Sequence, residues 1–255
     1  MARAAVTKQL RVLLDSEPLP DNFDYSYSMT SYYWRTLMMV CLKLGQRIGS
    51  FAFVRVFLSA IFNSGILAVM TYVLLPVQLY HLHRKANQTL LSEADRRVLL
   101  MSFAFLTGLF SAHLLAFFVP AEGLPPPYFM PVVVGITIQC TGPTLGRDRG
   151  RFLVVTLGTA SVVAVLVAET LDAISFRYLL SLSITVAGAF YNLQSLIVSL
   201  KSEKPDVIAS QIVGLAIVLW SSAFDLLVWG RFDPRGASAA ISATDIDAEL
   251  AHVIF

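Results

Sequence analysis

The chain has 255 residues, of which 56% are hydrophobic and only 14% charged, and its mean hydropathy is +0.68. Soluble domains hold roughly 45–50% apolar and about 25% charged residues, so one water-soluble globule of this size cannot hide so much apolar side chain. A net charge of +2 leaves no electrostatic footprint for nucleic acid. The two cysteines, Cys41 and Cys140, form neither a disulfide framework nor a CxxC or CxxH metal motif. Composition predicts an all-α polytopic protein whose main partner is the lipid bilayer.

Residues 1–34 read as an N-terminal cytosolic segment. Within 1–14 stand Arg3, Lys8 and Arg11, with no acid before Asp15. No apolar stretch precedes a small-residue cleavage site, so a secretory signal is not expected. An amphipathic helix lying on anionic lipid and a mitochondrial presequence both fit this pattern. Residues 15–30 are polar and turn-rich, as in a connector.

A bilayer needs about 20 mostly apolar residues per helix. Stretches at 60–80, 98–119, 129–145, 152–171 and 177–199 qualify directly, and 207–229 qualifies by length although it contains Asp225. The stretch 35–58 carries Arg35, Lys43, Arg47 and Arg55, and hydropathy alone leaves it ambiguous. Loop charge decides. Loops 81–97, 146–151 and 200–206 are rich in Lys and Arg, whereas 120–128 has neither and 172–176 has none before Arg177. That alternation is the positive-inside pattern. It predicts that 35–58 crosses with its early basic residues near the cytoplasmic surface. The expected architecture is six transmembrane helices, over 35–230, around a seventh central or re-entrant helix at 207–229. Gly214 could host a bend in that last segment, and a straight crossing is equally allowed by length. Asn87-Gln88-Thr89 is a glycosylation sequon that this topology keeps cytoplasmic and bare. Residues 231–255 read as a flexible C-terminal tail.

Ionisable groups at membrane depth are functional candidates by default. Arg55 fits a snorkelling side chain, and His113 a hydrogen-bonded packing residue. Glu169 and Asp172 share one helix face, with Arg177 across a short turn. They form either a salt-bridged corner or a vestibule that attracts cations. Asp225 could pair with Arg231 or face a water-filled path. The amides Asn192 and Gln194 are expected to bond another helix, and Gly135, Gly142, Gly158, Ala187 and Gly188 to let helices approach closely. No GxSxG, HExxH or glycine-rich phosphate loop is present. No catalytic residue, metal site or cofactor is expected, and the chain does not read as an enzyme.

The run RRVLLMSFAFLTGL at 96–109 resembles the third-span signature of the Bax inhibitor-1 family, with Phe103-Ala104-Phe105-Leu106-Thr107-Gly108 matching its hexamer. Looser likenesses are Tyr128-Phe129-Met130, the basic turn Arg147, Arg149, Gly150, Arg151 and Phe152, and the run Phe190-Tyr191-Asn192-Leu193-Gln194, followed by a polar loop with Asp206. The resemblance covers about 35–230. It implies an endoplasmic-reticulum protein, or one of the mitochondrial inner membrane, that modulates cell death and calcium homeostasis through a slow, pH-sensitive cation leak. Calcium ions or protons would be the species passed, and membrane proteins the partners. The family's gate is two acids sharing a proton. Here the first position is Asn192, and the second falls near Val213, with Gly214 and Leu215 beside it. Neither an amide nor a valine titrates. If any ion path persists, Asn192, Glu169, Asp172 and Asp225 are the residues left to line it. The alternative is a non-conducting adaptor or scaffold that keeps the bundle without the gate.

Overall fold

The computed structural model describes residues 17–20, 23–86, 92–115, 118–119, 129–145, 147–200, 207–229 and 231–232. The readings of the 1–14 segment, of Asn87, of loops 120–128 and 201–206 and of the 233–255 tail lie outside these residues. The described elements are α1 (Tyr25–Ser50), α2 (Ala52–Ile61), α3 (Ser64–Val69), a π turn (Met70–Leu74), α4 (Leu75–Ala86), α5 (Glu93–Leu115), β1 (Phe118–Val119), α6 (Met130–Thr141), α7 (Arg149–Thr170), α8 (Phe176–Leu200), α9 (Val207–Trp229) and β2 (Arg231–Phe232). The chain is helical, and several helices are long and apolar enough for an integral membrane protein. Four pass on length and composition, namely Ser64–His81, Ala94–Leu115, Arg149–Thr170 and Phe176–Leu200. A fifth is counted if α1 and α2, bent by 85°, form one span.

α1 starts ten residues before the expected boundary at 35. Asp24 caps it, accepting from the Tyr27 N–H at 2.8 Å. The polar residues that suggested a connector satisfy themselves within the helix. Ser28 Oγ donates to the Asp24 carbonyl at 3.0 Å, and Thr30 Oγ1 to the Ser26 carbonyl at 2.9 Å. Ser28, Ser31 and Tyr32 are buried. Phe51 (ψ 137°) ends α1 in extended backbone, and Phe62 (ψ 135°) ends α2 in the same way. α3 then restarts from Asn63, whose Oδ1 accepts from the Gly65 N–H at 3.0 Å. The π turn ends two residues before Pro76, whose ring cannot sit against the carbonyl four residues back in a regular helix.

Contacts fix the direction of each helix. Arg97 lies over the Trp34 ring at 4.7 Å. Gly45 faces Phe105 and Leu109, Gln46 donates to Ser111 at 3.3 Å, and Gly49 faces Leu109 and Ala112. Partner numbers rise together, so α1 and α5 run parallel. α6 runs antiparallel to α1, with Gly135 beside Tyr32 and Gly142 beside Tyr25. α8 and α9 are antiparallel, with Gly188 against Ile217 and Asn192 against Gly214. One end of the bundle therefore gathers the start of α1, the end of α6 and the start of α7, where Phe23, Tyr25 and Phe152 meet edge to face. The basic turn at 147–149 lies at this end, as do Arg96 and Arg97. At the opposite end β1 pairs with β2 (Phe118 with Phe232, Val119 with Arg231). That pairing puts the end of α9 beside the end of α5. α9 is one continuous helix through Gly214, so no hairpin forms there. It touches α1, α4, α5 and α8.

Two main cores result. One joins α1, α6, α7 and α8 around Phe152, Leu193, Leu196 and Ile197. The other joins α1, α4, α5 and α9 around Met38, Leu42, Leu100, Ala104 and Leu215.

Candidate functional site

α1 and α5 cross backbone against backbone. A Cβ added at Gly108 would meet the Leu42 carbonyl, and one at Gly45 the Phe105 carbonyl. Ala104 and Thr107 of the same hexamer are buried, and Thr107 Oγ1 donates to the Phe103 carbonyl at 2.7 Å. The run 103–108 is therefore a helix-crossing device. The glycines expected to serve this purpose do so unevenly. Gly135, Gly142 and Gly188 meet side chains, and Gly158 has nothing within 4 Å.

The centre of the bundle is polar. Arg35 is only 4% exposed, and its guanidinium carbon lies 4.5 Å from the Tyr32 ring centroid, one helical turn away. It sits ten residues below Tyr25, about 15 Å along the helix at 1.5 Å per residue. Its neighbour Trp34 lies under Arg97 near the start of α5, so Arg35 stands inside the bundle on the side of the basic end. From α8 comes Asn192 and from α9 Gly214. A Cβ on Gly214 would lie 2.7 Å from Asn192 Nδ2 and 3.7 Å from Arg35 Nε. Gly214 thus leaves the space that both polar side chains occupy. Asn192 Oδ1 has no hydrogen-bond partner among the described residues, nor does Nε2 of buried Gln211, one turn before Gly214.

Towards the basic end lies a second buried guanidinium. Arg149 opens α7, which Asp148 caps by accepting from the Arg151 N–H at 3.0 Å. Arg149 donates to Gln194 Oε1 on α8, and to the Glu17 carbonyl at 3.4 Å. Leu19 N–H donates to the Arg147 carbonyl at 3.1 Å, and Arg147 Nε returns a bond to the Leu19 carbonyl at 3.4 Å. The basic turn thereby straps residues 17–20 to the bundle, with Leu19 in the core. Among the described residues the buried charged side chains are Arg35 and Arg149, and no Asp or Glu is buried.

The sequence candidates fall at separate places. Asn192 is buried at the centre. Val213 is half-buried, and its neighbour Gly214 is the residue facing Asn192. Glu169 and Asp172 are exposed at the end of α7. Ala173 N–H donates to the Ala168 carbonyl at 2.9 Å and Asp172 N–H to the Glu169 carbonyl at 3.0 Å, with Asp172 at φ 53°. This is a Schellman helix end, in which Asp172 occupies the left-handed position usually given to glycine. Asp225 lies near the C-terminal end of α9. The structure does not bring Glu169 or Asp172 to Asn192. Among the described residues no three of His, Cys, Asp or Glu are grouped to hold a metal.

Sequence reasoning missed Arg35 as a central residue, and with it Tyr32, Arg149 and Gln211. The available signal was an arginine one turn from a tyrosine in a helix capped at Asp24. No protein-family model, curated protein or solved structure matches the chain.

Proposed function

We propose that the chain is a membrane scaffold of Bax inhibitor-1 type. In this reading six spans surround α9, and the protein acts on survival signalling through protein partners rather than by passing cations. The observation that carries this reading is Arg35, buried against Asn192 and Gly214 where the resemblance implies a titrating acid pair. A divalent cation at about 5 Å from a guanidinium meets a repulsion of about 7 kcal/mol at an effective dielectric constant of 20. Calcium also requires hard oxygen ligands, and the carboxylates that would supply them are absent from this layer among the described residues. The slow leak is therefore the less favoured of the two functions that the resemblance offers. The basic end faces the cytoplasm in this reading, and the host membrane is that of the endoplasmic reticulum.

Proteoliposomes loaded with a calcium dye test the proposal at acidic and alkaline pH. Flux equal to that of empty vesicles at both pH values is expected, together with a stoichiometric partner on affinity capture from mild detergent. A pH-dependent leak overturns it. Asn192→Asp with Val213→Asp is expected to leave the vesicles silent. Arg35 would hold a carboxylate at 192 ionised, and position 213 does not face it.

A further inference from the structure

The 85° corner at Phe51 turns α2 across the end of the bundle that lies away from the basic turns. Its inward side is narrow. Leu58 is buried with Leu67 and Leu114, and Val54 packs beside them. Arg55 is half-buried. The Ser59 hydroxyl is spent on its own helix, donating to the Val56 carbonyl at 2.9 Å. What remains outward is apolar and largely aromatic: Phe51, Phe53 (73% exposed), Val56, Phe57 (63% exposed) and Ile61. Phe51 and Phe53 stack, with centroids 6.1 Å apart. No charged side chain interrupts this face, and the apolar surface is taken up again on α3 by Ile66 and Val69.

A helix perpendicular to the spans, with its one charged group half-buried and its aromatic groups out, is unfavourable in water and too short to cross a bilayer. We propose that α2 lies in the plane of the membrane as a wedge among the acyl chains of one leaflet, the one at the end away from the basic loops. The proposal rests on the membrane reading above. Its partner is lipid, argued from continuity with the apolar shell of the spanning helices. The wedge widens the protein in that leaflet alone.

Spin labels read the depth directly. Phe53→Cys, Phe57→Cys and Val162→Cys are labelled one at a time in a Cys41→Ser, Cys140→Ser background and reconstituted in phosphatidylcholine vesicles. Power saturation with oxygen and a water-soluble nickel complex gives each depth. Labels 53 and 57 are expected at equal depth below the headgroups, with label 162 of α7 deeper. A difference of about 6 Å between 53 and 57, four residues at 1.5 Å, makes α2 the end of a broken span and overturns the proposal. Exposure of both labels to nickel, or shielding of both from oxygen and nickel by a protein partner, also overturns it. A label at 162 outside the acyl layer removes the membrane reading itself, and the wedge with it.

Discussion

Replacing Gly108 by alanine probes the backbone crossing of α1 and α5. The new Cβ would press on the Leu42 carbonyl and come within 3.0 Å of the Gln46 nitrogen. Both obstacles are backbone, so no rotamer change relieves them and the helices must separate. Overpacking costs about 1–3 kcal/mol, and the rigidity of the obstacle puts this case at the upper end. Removing a helical glycine returns about 1 kcal/mol of propensity. The net loss is then about 2 kcal/mol. Gly158→Ala is the control, because nothing lies within 4 Å of its Cβ position. It is expected to gain about 1 kcal/mol. Reversible unfolding of both variants by SDS titration in mixed micelles measures the contrast, about 3 kcal/mol in all. Stabilities of the two variants within about 0.5 kcal/mol of each other refute the crossing.

Arg149→Met strands Gln194 Oε1 in the core, and its expected cost by the same titration is about 3 kcal/mol. Adding Gln194→Leu is expected to restore most of the loss, as when both members of a buried polar pair are replaced; a strictly additive double mutant contradicts the pairing. Asp172→Gly relieves the left-handed backbone and is expected to raise stability by about 0.5–1 kcal/mol without altering vesicle flux. A loss of stability there would mean that the carboxylate is held by something other than the helix end. Asn192→Cys with Gly214→Cys is expected to form a disulfide under mild oxidation in a background lacking Cys41 and Cys140. The pairing of Asn192→Cys with Val213→Cys is expected to stay reduced, and the reverse order in a non-reducing gel would displace the α8–α9 register.

The spans at 98–119, 152–171 and 177–199 were legible because long apolar runs allow little choice. The helices there begin and end within five residues of those limits. α1 was set too late because its first turns, Tyr25-Ser26-Tyr27-Ser28, look like a loop on hydropathy. Their hydroxyls are absorbed by the helix itself. That shift puts Arg35 ten residues inside α1 rather than at its start, which is why its burial was not foreseen. Arg149 was read only as loop charge, since nothing in the sequence says that a topogenic arginine is also buried. The Gly45-x-x-x-Gly49 spacing could have marked the α1–α5 crossing. The facing of Asn192 by Gly214 rather than Val213 depends on the register between two helices, and that register is set by packing contacts the sequence does not encode locally. Of the two amides expected to bond another helix, Gln194 accepts from Arg149 of α7, whereas Asn192 Oδ1 has no hydrogen-bond partner among the described residues.

Whether the centre of the bundle is closed can be read from one residue. Asn192→Cys, in the background without Cys41 and Cys140, is treated in sealed vesicles with a membrane-impermeant thiol reagent added from either side, at pH 6 and at pH 8. A closed, guanidinium-filled centre predicts no modification under any of the four conditions, while the same cysteine reacts fully after denaturation. Modification of the folded protein from either side would mean that water reaches Asn192, and the account would fail.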